Sequence, residues 1–144
     1  MAFLLNTEIV INATPNKVWA ILTDFKNYPN WNPFITSLTG DFEIGKKIIV
    51  RIEPPEVKAS TFKAIVTGFE VNEKISWFGI FIMRGFFDGE HNFELTNNGN
   101  GTTTLVQYEN FTGILVPIFK KILNNNTRRG FEAMNKKVKK LAER

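Results

Sequence analysis

The chain has no cysteine, which removes disulfides, thiolate nucleophiles and cysteine-ligated metal centres together. A single histidine, His91, is too few for a multi-histidine zinc site. Tyrosine (2) and tryptophan (3) are scarce beside 14 phenylalanines. Phenylalanine has no polar handle, so it fills dry space instead of anchoring hydrogen bonds. A Phe-rich core and an aromatic-lined pocket both fit that choice. No stretch approaches the roughly 20 apolar residues needed to cross a bilayer. Met1 to Val10 carry neither a basic flank nor a long apolar run, so a secretory signal is not expected and a cytoplasmic location is. A phosphate-binding P-loop, a dinucleotide fingerprint and a nucleophile elbow are all missing, and acidic residues are scattered without a hydrolytic pair. No metal or other cofactor is expected.

What remains is a chain of 144 residues, 43% hydrophobic and 22% charged, enough for one globular domain over 1–144 with a sizeable core. The net charge of +4 is unevenly spread. Lys120, Lys121, Arg128, Arg129, Lys136, Lys137, Lys139, Lys140 and Arg144 face only Glu132 and Glu143, so the last segment carries +7 and the rest −3. A solvated helix face is the ordinary meaning of such a run, and a surface for an acidic partner or anionic lipid is the alternative. Exposed aromatics are not interleaved with the basic residues, so nucleic acid is not expected as a partner.

Leu5, Thr7, Ile9 and Ile11 alternate with Asn6, Glu8, Val10 and Asn12, which predicts a half-buried strand. Thr14-Pro15 then starts a helix, with Thr14 as N-cap and Val18, Trp19, Ile21 and Leu22 on its apolar side. Phe25 to Phe34 contain two prolines and several asparagines, so a short helical turn or ordered loop is expected there. From Ile35 to Thr112 strand follows strand, punctuated by Gly, Pro-Pro and Asn-Gly. The loops are too short for helical crossovers, so the sheet is antiparallel. The period then changes. Ile118, Ile122, Phe131, Met134, Val138 and Leu141, flanked by Phe119, Leu123 and Ala142, predict one long helix with those residues inward.

This order is α+β: a curved antiparallel sheet of about six to seven strands (β-α-α-β×5-6-α) around a long C-terminal helix. It resembles the START-related superfamily of polyketide cyclases and pollen-allergen-like proteins, with its small single-domain bacterial members closest. The resemblance is carried by Ile11-Asn12-Ala13-Thr14-Pro15-Asn16-Lys17-Val18-Trp19 and by Tyr28-Pro29-Asn30-Trp31-Asn32-Pro33-Phe34. Asp88-Gly89-Glu90-His91-Asn92-Phe93-Glu94-Leu95 and Arg129-Gly130-Phe131-Glu132-Ala133-Met134-Asn135 extend it over essentially the whole chain. It implies a helix-grip fold. It implies no single function, because carriers, receptors and cyclases share that fold.

His91 is the residue on which chemistry concentrates. Strand parity puts it on one face with Phe93 and Leu95. If the Asn97–Gly101 turn closes a hairpin symmetrically, Leu95 opposes Leu105, Phe93 opposes Gln107 and His91 opposes Glu109. Such a pair either satisfies itself structurally, orients a ligand carbonyl or hydroxyl, or acts as acid/base in a cyclisation. A one-residue slip would send Glu109 to solvent. Trp31 and Phe34 are placed near a cavity mouth by the resemblance. Phe62 and Trp77 face inward by strand parity, and Phe131 and Met134 lie on the inner helix face. With Phe93, Gln107 and Glu109 these complete the candidate ligand-binding set. Gly130 on the apolar helix face leaves room for a ligand or allows a bend.

Three functional readings follow. The first is non-catalytic binding of a small hydrophobic molecule by a monomer or weak dimer, with very few inward polar groups. The second is a cyclase, aromatase or dehydratase using His91 and Glu109. The third is an interaction module docking through the basic helix, with membrane-surface contact left open.

Overall fold

A computed structural model describes residues 2–144. β1 (Ala2–Ile11) is followed by α1 (Pro15–Thr23), a 3-10 turn at Phe25–Asn27 and α2 (Tyr28–Trp31). Six strands come next: β2 (Ile35–Thr39), β3 (Lys47–Ile52), β4 (Ser60–Glu70), β5 (Lys74–Ile80), β6 (Asp88–Asn97) and β7 (Thr103–Thr112). α3 (Val116–Ile122), a π-helical turn (Leu123–Thr127) and α4 (Arg128–Ala142) run on as one helix of 27 residues. All seven strands form one antiparallel sheet in the order β1-β7-β6-β5-β4-β3-β2. The expected helix-grip architecture is therefore the observed one, at the upper end of the expected strand number.

Alternation in the sequence decides which face is covered. Leu5, Thr7 and Ile11 on β1, Ile48 and Val50 on β3, and Phe62, Ala64 and Val66 on β4 are buried, while the residues between them on the other face are largely exposed. A bulge between Val66 and Gly68 shifts the β4–β5 register and bends the strand, adding to the curl that wraps the helix. The C-terminal helix packs on β1 and β7 with α1 beside it, and Phe131, Met134 and Val138 are fully covered.

Two local expectations are corrected here. Thr14 does precede α1, with Pro15 at the first helical position, but its hydroxyl donates to the Asn16 side chain and caps no backbone N–H. Ile118 and Ile122 do not face inward: they are 72% and 40% exposed, and Val116 and Leu123 are buried instead. The cause is helical phase: at about 100° per residue Ile122 lies about half a turn from Phe131 and Ile118 about 140° from it, so neither shares its face. In a straight α-helix the i+4 row drifts by about 40° per step, so residues 12 apart no longer share a face. The wider turn at Leu123–Thr127 cancels that drift and keeps Phe119, Leu123, Thr127 and Phe131 on one side.

Candidate functional site

The space between the sheet and the helix narrows to a cavity of about 190 Å³. Its walls are aliphatic and aromatic: Val50 and Ile52 from β3, Phe62 from β4, Trp77 from β5, Phe111 from β7, and Phe119 and Leu123 from the helix. Ser60 and Ile122, both exposed, also line it and mark where it opens. The cavity holds two ionisable side chains, His91 and Glu109.

The hairpin register is the symmetric one. Leu95 pairs with Leu105, Phe93 with Gln107 and His91 with Glu109. Opposite residues on one face of an antiparallel pair come within side-chain reach. Nδ1 of His91 accordingly lies 3.0 Å from Oε1 of Glu109, both side chains almost wholly buried. On its other edge, Nε2 lies 2.9 Å from Oε1 of Gln107. Three aromatic rings enclose the imidazole. Trp77, its partner on β5, stacks on it at 4.8 Å with the planes 7° apart, and Phe93 and Phe131 each approach to 4.9 Å. The imidazole is thus fixed by two hydrogen bonds and three faces.

Space for the carboxylate comes from Gly89, one strand over. A β-carbon at Gly89 would sit 2.2 Å from Oε2 of Glu109 and 3.2 Å from the Phe81 ring. Its pairing partner Gly79 makes room in the same way for Phe62, 2.8 Å from where a β-carbon would stand. Periodicity does not reveal these glycines as site residues, because an isolated glycine in a strand reads as a weak point. Helical period already places Phe119 beside the inner row, whereas Phe81 and Phe87 line the cavity from the β5–β6 loop, where periodicity is silent. A Phe excess is the only sequence signal for them.

Of the ten candidate ligand-binding residues, Phe34, Phe62, Trp77, His91 and Glu109 line the cavity. The other five stand behind its wall. Trp31 packs edge-on against buried Tyr28 at 5.3 Å, plugging the short helices onto the core. Phe93 sits behind Trp77 and His91. Phe131 is sealed between Phe34 and His91. The Met134 sulfur accepts from Asn32 Nδ2 at 3.4 Å, which ties α4 to the turn before β2. Gln107 is covered by the imidazole it bonds. The room expected at Gly130 exists, but the ring of Phe34 fills it, 2.4 Å from where a β-carbon would be.

The interior is also more polar than the sequence suggests. Gln107 Nε2 donates to the Phe131 carbonyl and to Asn135 Oδ1, Asn135 Nδ2 donates to Thr7 Oγ1, and Thr7 donates to the Gln107 carbonyl. This chain joins β1, β7 and α4 behind the imidazole, so every buried polar group in it is satisfied.

The basic helix face is partly spent at home. Arg128 bonds Asn124 and the Asn6 carbonyl, Arg129 pairs with Glu56, and Lys139 with Glu143. Lys120, Lys121, Lys136, Lys137 and Lys140 are exposed. Among the described residues no helix is long and apolar enough to cross a membrane, and no cluster of three or more His, Asp or Glu side chains is placed to hold a metal ion.

Solved structures repeat this architecture. The Zhui aromatase/cyclase from Streptomyces sp. R1128 superimposes with a TM-score of 0.78 at 15% identity, covering 100% of this chain and 95% of its own. A point mutant of norcoclaurine synthase from Thalictrum flavum gives 0.75 at 14%, covering 99% and 94%. A protein of unknown function from Staphylococcus aureus gives 0.72 at 17%, covering 99% and 94%. At such identities the likeness establishes the fold. No curated protein matches the chain significantly. The family described as polyketide cyclase / dehydrase and lipid transport matches residues 3–143, nearly the full length. With that match added to the helix-grip sheet, the chain belongs to the polyketide cyclase / dehydrase and lipid transport family.

Proposed function

We propose that this protein binds a small hydrophobic molecule in the cavity between sheet and helix, and that binding, without turnover, is its task. The observation that carries this reading is a cavity of about 190 Å³ walled by aliphatic and aromatic side chains, with a single buried polar pair in its wall. Ligand sites have that character: apolar, concave, with a few polar groups fixing orientation. Size bounds the ligand. A dry cavity of about 150 Å³ takes up benzene, so this one accommodates about one ring with a short substituent. A folded polyketide chain is larger than that, which weighs against the family's cyclisation chemistry here.

Native mass spectrometry of the purified protein, followed by organic extraction, tests the reading. A stoichiometric apolar passenger, or saturable uptake of small aromatics, is the expected result. A protein that is empty and takes up none of them sinks it.

The His91–Glu109 pair favours one second reading, acid/base catalysis of a cyclisation or dehydration on a similarly small substrate. That role requires turnover of a ring-sized hydroxy-ketone or enone to vanish in both His91→Ala and Glu109→Ala. Turnover that survives both removes it.

A further inference from the structure

The hydrogen bonds behind His91 have a direction, and that direction reaches the cavity. Thr7 Oγ1 donates to the Gln107 carbonyl at 2.8 Å, so its lone pair accepts Asn135 Nδ2 at 3.0 Å. Asn135 is thereby oriented with Oδ1 toward Gln107 Nε2, at 2.8 Å. The second Gln107 Nε2 hydrogen meets the Phe131 carbonyl at 3.3 Å, an atom that only accepts. Gln107 therefore presents Oε1, not N–H, to His91, and Nε2 of the imidazole must carry a hydrogen to bond it.

With Nε2 protonated, one further proton lies between Nδ1 and Oε1 of Glu109, 3.0 Å apart. It sits on the ring as an imidazolium facing a carboxylate, or on the carboxyl facing a neutral ring. Oε2 of Glu109 has no hydrogen in either case. It is an acceptor whichever partner holds the proton.

Among the described residues no hydrogen bond reaches Oε2. The Glu109 residue is 5% exposed and lines the cavity, and Oε2 lies over Gly89 beside the Phe81 ring. Oε2 is reached from the cavity, so a ligand that displaces water from it without donating a hydrogen leaves a desolvated acceptor, which is costly and most of all for a charged group. Holding His91 in register requires Oε1 alone. Ser60 and Thr127 also line the cavity, but a hydroxyl donates or accepts and imposes no sign. Among the described residues no lysine or arginine lines it, and both imidazole nitrogens are occupied.

We propose that the cavity selects ligands bearing a hydrogen-bond donor, a phenol, alcohol or amine on a ring-sized apolar body, and rejects carboxylates. The donor satisfies Glu109 Oε2. A ligand carboxylate would bring a second acceptor against it in a low-dielectric wall with no free cation to compensate. This rests on the binding reading above and narrows it to a ligand class.

The test uses para-cresol, toluene and para-toluate, three probes of one ring size that differ in the group presented to Glu109. Binding is measured by calorimetry on wild type, Glu109→Leu and Glu109→Gln. Wild type should bind para-cresol about tenfold or more tighter than toluene, in line with a hydrogen bond to a charged group, and para-toluate weakest. Glu109→Leu, which removes the acceptor, should abolish the preference for para-cresol. Glu109→Gln should keep it, because a glutamine donating Nε2–H to His91 Nδ1 leaves its oxygen facing the cavity, and its rejection of para-toluate should relax. Toluene or para-toluate binding wild type as tightly as para-cresol overturns the inference and leaves the binding reading standing. Binding of none of the three overturns the binding reading, and this inference with it.

Discussion

Gly130 of α4 faces the ring of Phe34, and a β-carbon at Gly130 would lie 2.4 Å from Phe34 Cδ1. Two effects of a Gly130→Ala change therefore oppose. Helix propensity favours alanine by about 1 kcal/mol. Overpacking of a filled core costs about 1–3 kcal/mol, and a buried ring held against Phe131 at 5.2 Å has little freedom to retreat. Net destabilisation by about 1 kcal/mol is expected. In a Phe34→Leu background the sign should reverse, because the smaller side chain vacates the contact. A double-mutant cycle from urea midpoints checks both signs.

Gln107 is the hinge of the buried polar chain. Replacing it with leucine keeps the volume similar but leaves His91 Nε2, Asn135 Oδ1 and the Phe131 carbonyl without the partner each has now. The expected loss is about 3 kcal/mol, far above the effect of an ordinary surface change. Urea unfolding of Gln107→Leu measures it. A loss below that of an exposed control such as Asn98→Ala would show that the chain contributes nothing to stability.

Tyr108 titrates late. Burial chiefly, and then the hydrogen bond it donates to Glu94, push its hydroxyl from the ordinary 10.0 up to about 12. The folded value lies above the unfolded one, so the stabilisation is fully present below pH 10 and disappears as pH rises from there towards 12. Phenolate absorbance followed against pH should show this residue ionising well after a free tyrosine. Glu94→Gln should bring the titration back towards, but not fully to, the ordinary value, because burial remains.

Trp77 is the tryptophan to watch in a binding experiment. It lines the cavity, whereas Trp19 and Trp31 pack elsewhere in the core. A ring entering the cavity should change Trp77 emission, and the change should persist in a Trp19→Phe, Trp31→Phe double variant. Loss of the signal in that variant, with binding still seen by calorimetry, would place the ligand away from Trp77.

The residues themselves already carried the fold and the His91–Glu109 pairing. Alternation is a local property with period 2, and a hairpin closed at Asn97–Gly101 transmits it across one turn, so the faces of β6 and β7 and their register follow from sequence alone. The long helix and its basic side follow from the change to a helical period. Other features are not local. The π turn at Leu123–Thr127 rephases α3 so that Phe119 and Leu123 share a side with Phe131, while Ile118 and Ile122, grouped with it on local i, i+4 spacing, point outward. Met134 is an apolar residue of the right kind, yet its sulfur meets Asn32, a contact that spans 102 residues of chain. The size of the cavity depends on how large rings interdigitate from β4, β5, the β5–β6 loop and α3 at once. The acceptor at Glu109 Oε2 depends on Thr7, Asn135 and Gln107 meeting from three separate elements. Periodicity assigns a face to each side chain, but only packing decides which neighbour it meets there and which polar atom is left for a ligand.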